Sequence, residues 1–179
     1  EGLGHYVFHA SQQASSLALR FFRDALGQEH AERALAALAA DPNAPWARTP
    51  MLKINEIELL GNIERACRNQ GRLGEAWQRN HRTITRWQEH AGLPVDPDHL
   101  DPTGIAGLSP PFRALGWRLV ERESEYLHFV GRTTEARSLL KAAVEGAAPD
   151  LRSPGAIPGF YAIKLLDALA HIEDFTGYK

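Results

Sequence analysis

Histidines and carboxylates at helical spacing are the residues of this chain best suited to chemistry. We single out three pairs of this kind: Glu125 with His128, Asp167 with His171, and His5 with His9. Side chains three or four positions apart lie on one face of a helix, where they can hold a metal ion together. A di-iron centre in a helical bundle needs two Glu-x-x-His pairs and two further inward carboxylates. Because the chain has one Glu-x-x-His, we predict no metal or cofactor and keep a metal-dependent enzyme using Glu125 and His128 as the alternative function.

A second polar cluster lies in the segment DPDHLDP, residues 96–102. It contains four residues of metal-ligating types, namely Asp96, Asp98, His99 and Asp101. Aspartates beside prolines commonly cap their own turns by accepting backbone N–H groups. We therefore expect these carboxylates to shape the loop, with a metal site as the alternative.

The only cysteine, Cys67, falls on the predicted apolar face of a helix with Leu60 and Ile63. That position predicts a buried, inert thiol. One cysteine cannot form an intrachain disulfide, which favours a reducing compartment and a cytoplasmic location. The sequence contains no nucleophile elbow, P-loop or dinucleotide fingerprint, so an enzyme carried by this chain alone is not expected.

Arginines alternate with tryptophans along residues 77–87, a combination that can bind single-stranded nucleic acid. The helical spacing, however, places Trp77 and Trp87 on the apolar stripe, which predicts their burial. Twenty Lys and Arg residues against 22 Asp and Glu residues give a net charge of -2, so no overall field favours an anionic polymer. We predict no nucleic-acid binding, and no apolar run has the roughly 20 residues that a membrane helix needs.

Helical periodicity dominates the whole chain and predicts an all-α fold. About seven helices are expected, arranged as antiparallel hairpins, over residues 6–26, 29–40, 51–70, 73–90, 112–130, 133–147 and 160–174. Leu17, Phe21 and Phe22 should lie on the buried face of the first helix, with Gly27 ending it. Proline-rich loops separate the hairpins at residues 41–50 and 91–111. We expect residues 1–179 to form a single helical domain, complete in itself or part of a longer protein.

The motif Gly-Arg-x-x-Glu-Ala occurs twice, starting at Gly71 and at Gly131. Each glycine suits the left-handed residue that ends a helix. Glu75 and Glu135 then fall in the first turn of the next helix, near its positive dipole end. The following alanines are small enough for two antiparallel helices to approach closely.

This pattern resembles the tetratricopeptide repeat, a helix-turn-helix unit of about 34 residues. The resemblance rests on residues 117–149 and, less closely, on residues 57–87. The matching positions are Gly131, Ala136, Leu140, Ala143 and Pro149 in the first range, and Gly71, Ala76 and Trp77 in the second. Asn80 and Thr83 depart from the apolar and small residues usual in the family, and the glycine spacing is irregular. A superhelical array is expected from the resemblance, with a generic helical bundle as the alternative.

The resemblance also implies a concave groove lined by the first helix of each repeat. It places eight ligand-binding candidates there: Asn62, Arg65, Arg68, Asn69, Arg118, Arg122, Glu125 and His128. Arginine forms bidentate bonds with a carboxylate, and asparagine adds amide donors. The expected function is therefore that of a protein- or peptide-binding scaffold domain, either alone or as the sensor or accessory part of a larger regulator or enzyme. The alternative for these residues is a solvated polar face, and the sequence does not fix the oligomeric state.

Overall fold

The computed structural model describes residues 3–96, 98 and 100–177, with side chains up to Glu173. Within these ranges the chain forms nine α-helices, one 3-10 helix and no strand. The all-α prediction is therefore confirmed, although the helices outnumber the seven expected. The chain divides into two compact units, unit 1 (Glu1–Arg86) and unit 2 (Trp87–Lys179). The single-domain organisation stays a prediction.

Unit 1 is built from successive helices that pack on their neighbours. These are α1 (Leu3–Arg20), α2 (Asp24–Ala40), a 3-10 helix (Pro45–Arg48), α3 (Pro50–Asn69) and the start of α4 (Leu73–Ala91). The side chain of Thr49 accepts a hydrogen bond from the backbone N–H of Leu52, and proline follows it, so α3 has a well-defined start. The core of unit 1 is formed by Phe8, Leu19, Ala31, Leu52, Ile57, Leu59 and Ile63.

Unit 2 contains three long helices and two short ones. They are α5 (Pro102–Ala106), α6 (Pro110–Phe129), α7 (Thr133–Gly146), α8 (Ala148–Leu151) and α9 (Ile157–Gly177). Helix α6 packs against both α7 and α9, around a core of Trp87, Ile105, Trp117, Val120, Leu140 and Leu165. The short α5 and α8 lie where the sequence predicted only loops, because one proline-led turn carries too little periodicity to be recognised. Among the described residues no helix has the length and apolar character needed to cross a membrane.

The two Gly-Arg-x-x-Glu-Ala segments end α3 and α6 with the same turn. Gly71 has φ +75° and Gly131 has φ +86°, the left-handed region that favours glycine. In the first turn, the N–H of Gly71 donates to the carbonyl of Arg68 and that of Arg72 to Cys67. The second turn repeats both bonds at equivalent positions. Both segments therefore form Schellman motifs, as the glycine positions predicted.

The residues after each glycine also repeat their contacts. Arg72 binds Glu75 and Arg132 binds Glu135, each at 2.5 Å. These guanidinium groups hold the pKa of both glutamates below the usual range. Ala76 and Ala136 are completely buried. The motif is thus explained by turn geometry and helix packing.

The first hairpin contains the same turn, but at a different position from the one predicted. Helix α1 ends at Arg20, and Phe22 adopts φ +56° in the place that glycine occupies in the other two turns. The N–H of Phe22 donates to Leu19, and that of Arg23 donates to Ala18. Gly27 lies inside α2 and is buried, as Ala76 is in its own hairpin. The prediction that Gly27 ends the first helix was therefore wrong, because the left-handed residue is a phenylalanine.

Phe22→Gly should raise the free energy of unfolding by about 0.5–1 kcal/mol. Glycine relieves the left-handed strain, and this gain exceeds its greater loss of entropy on folding. Chemical denaturation monitored by circular dichroism measures the difference. Gly71→Ala is the matched control and should lower stability by about 1 kcal/mol. A Cβ at Gly71 would have no neighbour within 4 Å among the residues that the structure describes, so the backbone conformation decides the effect. A lower stability for Phe22→Gly would contradict the assignment of strain.

Candidate functional site

A cleft between α6 and α9 brings together two of the pairs singled out in the sequence. Its cavity has a volume of about 230 Å³. Helix α6 contributes Glu121, Ser124, Glu125 and His128, and α9 contributes Lys164, Asp167, Ala168, His171 and Ile172. The two pairs are far apart in the sequence, and they meet because these helices pack against each other. Among the described residues, three carboxylates, two imidazoles and one ammonium group therefore line a single cavity.

Contacts within unit 2 orient the α6 side of the cleft. Arg122 Nη1 donates to Glu125 Oε2 at 2.5 Å, one turn along the helix. His128 Nδ1 lies 3.2 Å from the hydroxyl of Thr133, at the start of α7. These bonds restrict the rotamers of Glu125 and His128, which reduces the ordering required when a ligand binds.

Glu121 is the group whose ionisation the cleft affects most clearly. Burial raises the pKa of its carboxyl group above the usual range. The positive charge of Arg122 opposes this shift, the negative charge of Glu125 reinforces it, and Lys164 and Arg118 act as Arg122 does. The carboxylate of Glu121 is therefore less well stabilised here than in water.

Glu121→Gln should remove a pH-dependent loss of stability. A carboxyl group with a raised pKa in the folded state binds more protons folded than unfolded, so stability falls as pH rises through that range. Relative to the wild type, the free energy of unfolding of the variant should increase between about pH 4 and about pH 8. The increase should be less than about 1 kcal/mol, because the carboxylate is partly solvated. Urea denaturation at both pH values measures the gain. A constant difference between the proteins would contradict the raised pKa.

The four candidates on α3 lie in unit 1, where two of them hold helices together. The amide of Asn62 donates to the hydroxyl of Ser15 at 3.4 Å, and that of Asn69 donates to Asp24 at 2.9 Å. Arg68 lies 3.7 Å from Glu64, and Arg65 is half-buried. Ligand binding by these four residues stays a prediction. On α6, Arg118 and Arg122 are half-buried beside the cleft without lining it.

The other polar clusters mainly serve structural contacts. Arg86 of α4 binds Glu56 of α3 at 2.7 Å, and Trp87 is fully buried, as predicted, while Trp77 is half-buried. Asp101 caps α5 by accepting the N–H groups of Thr103 and Gly104. Asp96 accepts the N–H of Asp98, which confirms the expectation that these aspartates shape their own turns. His99, proposed as part of a metal site, lies outside the described residues.

The structure limits which residues could bind a metal ion or act as a nucleophile. In the described part of the chain, no group of three or more His, Cys, Asp and Glu residues is placed to hold a metal ion. His5 and His9 do lie together, with their Nε2 atoms 3.0 Å apart. Cys67 is buried, and burial raises the pKa of its thiol. Arg72 opposes the shift and Glu75 reinforces it. The expected burial of Cys67 is confirmed, and its low reactivity stays a prediction.

Sequence reasoning missed a second cavity, of about 360 Å³, on another side of α6. Its walls come from α6, α7 and the segment around Leu100 and Pro102, and they are mainly apolar. Glu135 reaches this cavity but is bound to Arg132. No sequence signal indicated the site, since its residues come from three separate segments with no shared motif. Sequence reasoning also missed Lys164 of the α6–α9 cleft, because only the packing of α9 against α6 brings this side chain close to the carboxylates.

With this geometry in hand, comparison with protein-family models, curated proteins and solved structures yields no match for the chain.

Proposed function

We propose that this chain is an interaction domain that binds a peptide or protein partner, and that its α6–α9 cleft takes a cationic side chain of that partner. The supporting observation is the convergence of Glu121, Glu125 and Asp167 from two helices on one cavity. Binding is the whole mechanism: rigid helices hold the charges in place, so little entropy is lost on contact.

The charges of the cleft favour a cation as the bound group. Among the described lining residues, three carboxylates outnumber one ammonium group, that of Lys164, while Arg122 binds Glu125 from beside the cavity. The raised pKa of Glu121 means that its carboxylate gains stabilisation when a positive charge arrives. A guanidinium group can bond two carboxylates at once. The volume of about 230 Å³ lies below the roughly 300–1,000 Å³ of pockets for drug-sized ligands, which suits a single Arg or Lys side chain.

The proposed location and partners of the domain follow from its sequence. The domain is tetratricopeptide-like, is located in the cytoplasm and binds neither nucleic acid nor membranes. Arg65 and Arg68 supply an anion-binding subsite in unit 1 for a carboxylate of the partner. The domain serves alone or as the sensor or accessory part of a larger regulator or enzyme.

The proposal is tested with capped alanine-rich hexapeptides that carry one central Arg, Lys, Glu or Ala. Each peptide is titrated into isotope-labelled protein, and amide chemical shifts are followed by NMR. The Arg and Lys peptides should shift amides of residues 121–128 and 164–171, whereas the Glu and Ala peptides should not. Equal shifts from the Glu peptide, or no shift from any cationic peptide, would refute the cationic subsite.

Charge-neutral variants test whether peptide binding depends on the carboxylates of the cleft or on the overall charge of the protein. The double variant Glu121→Gln, Glu125→Gln should weaken binding of the Arg peptide by about tenfold or more, the loss expected for charged hydrogen bonds. Glu145→Gln is the matched control, because Glu145 is exposed on α7 of the same unit and does not line the cleft. The control should bind as the wild type does.

A metal-dependent enzyme using Glu125 and His128 is the second candidate function. One observation favours it, that Asp167 and His171 line the same cavity as the Glu-x-x-His pair, but among the described residues these groups are not placed together to hold a metal ion. Elemental analysis of the purified protein tests this candidate directly. Stoichiometric iron that disappears in His128→Ala would favour the enzyme over the interaction domain.

A further inference from the structure

The α1–α2 hairpin of unit 1 presents a continuous apolar face to solvent. Leu17, Phe21 and Phe22 are 53%, 73% and 84% exposed, although the sequence predicted them to be buried. The opposite face of α1 is the one that packs, and it contains Phe8 and Leu19 together with two buried serines. An exposed apolar face of this kind marks an interaction site.

Shallow cavities connect this face into one groove. One lies beside Tyr6, Ala10 and Ala14, the other beside Ala14, Leu17 and Phe21, and both include His30 of α2. The apolar residues of α1 follow the spacing that a second helix packs against, with small alanines in the middle and larger side chains at the ends. From Tyr6 to Leu17 the groove runs for roughly 16 Å, or three helical turns. This is the form of site into which an amphipathic helix docks.

The charges along the groove have one sign. Its charged lining residues are Arg23 and Arg33, with His30 between them, and no carboxylate among the described residues lines either cavity. Helix α1 contains no Asp or Glu, and its only charged residue is Arg20. The groove therefore complements an apolar helix face that is bordered by carboxylates.

Phe22 provides an independent indication of binding. It holds a left-handed conformation that the other two hairpins give to glycine, and it is the most exposed large apolar side chain of the described residues. Strain combined with exposure of an aromatic ring has no benefit for folding. Such features are found at functional positions, and aromatic residues dominate binding energy at interfaces.

We propose that the groove of the α1–α2 hairpin is a docking site for an acidic amphipathic helix of a partner protein, anchored by Phe21 and Phe22. A second copy of the chain is a poorer occupant, because pairing two such faces would bring their arginines together. The site is separate from the α6–α9 cleft and does not depend on the function proposed for it.

Two synthetic helical peptides test the proposal. Both carry leucine at heptad a and d positions over four turns; one has glutamate beside the leucines and the other has lysine. Fluorescence anisotropy with the full chain should show the glutamate peptide binding at least tenfold more tightly. The Arg23→Glu, Arg33→Glu double variant should reverse this preference. Equal affinity for both peptides would overturn the charge argument, and no binding of either would overturn the proposal.

Phe22→Gly separates binding from folding. This variant should bind the glutamate peptide severalfold more weakly than the wild type, while the thermal stability of the variant stays at or above that of the wild type. Leu17→Glu should weaken binding at least tenfold, and Phe129→Ser, which changes an exposed phenylalanine of unit 2, should leave it unchanged. A wild type that is dimeric by light scattering, and that Leu17→Glu makes monomeric, would assign the face to a second copy instead.

Discussion

Asp150→Ala is expected to lower the free energy of unfolding by about 3–5 kcal/mol. Asp150 is buried in α8 and forms both bonds of a bidentate pair with Arg113, each at 2.9 Å. Its Oδ2 atom also accepts the indole N–H of Trp117 at 2.9 Å. The Arg113 and Asp150 side chains are only 22% and 9% exposed, so water can replace the lost acceptor only in part. Alanine would leave a guanidinium and an indole N–H without the carboxylate that satisfies both.

Urea denaturation followed by circular dichroism measures this loss. Asp150→Asn should have an intermediate effect, because the amide oxygen can still accept from Trp117 while the charge is lost. Glu145→Ala, which changes an exposed carboxylate of the neighbouring helix, should stay within about 0.5 kcal/mol of the wild type. A loss below about 1 kcal/mol for Asp150→Ala would show that Arg113 and Trp117 find other acceptors.

Gly159→Ala is expected to cost about 3 kcal/mol, the upper part of the range for overpacked interiors. A Cβ at Gly159 would lie 2.2 Å from the carbonyl oxygen of Ser153 and 2.8 Å from that of Asp150. Both obstacles are backbone atoms, so no rotamer change relieves the clash. The first turn of α9 would have to move away from the segment that also carries the Asp150 carboxylate.

Gly155→Ala provides the comparison within the same loop. A Cβ there would meet no atom of the described residues within 4 Å, and Gly155 is not among those with positive φ. Its stability should match the wild type within about 0.5 kcal/mol. Similar losses for Gly155→Ala and Gly159→Ala in thermal denaturation would show that loop flexibility, and not the clash, sets the cost.

The sequence predicted those parts of the fold that depend on local signals. Gly71 and Gly131 ended helices as expected, because a left-handed terminus strongly favours glycine. The same rule failed in the first hairpin, where Phe22 takes the left-handed conformation and Gly27 is buried in a helix. Periodicity also misled there, since the apolar stripe of Leu17 and Phe21 faces solvent. A pattern shows that a face is apolar, and it does not show what covers that face.

The candidate site was predictable only in pieces. Helical spacing placed Glu125 beside His128 and Asp167 beside His171, but their meeting in one cleft depends on the packing of α6 against α9. The bond between Arg113 and Asp150 joins residues 37 positions apart and left no local trace. Such long-range pairs are set by tertiary structure, which a single sequence does not encode in any motif.

Cys67 has a use that follows from its burial. It is the only thiol of the chain, and its raised pKa and enclosure prevent reaction while unit 1 is closed. Alkylation therefore requires local opening of unit 1. Its rate reports the fraction of molecules in which unit 1 is open, and no cysteine has to be introduced for the measurement. Measured in Asp150→Ala, which weakens unit 2, the same rate tells whether the two units unfold in concert. The alkylation rate of Cys67 therefore measures how cooperatively the chain unfolds.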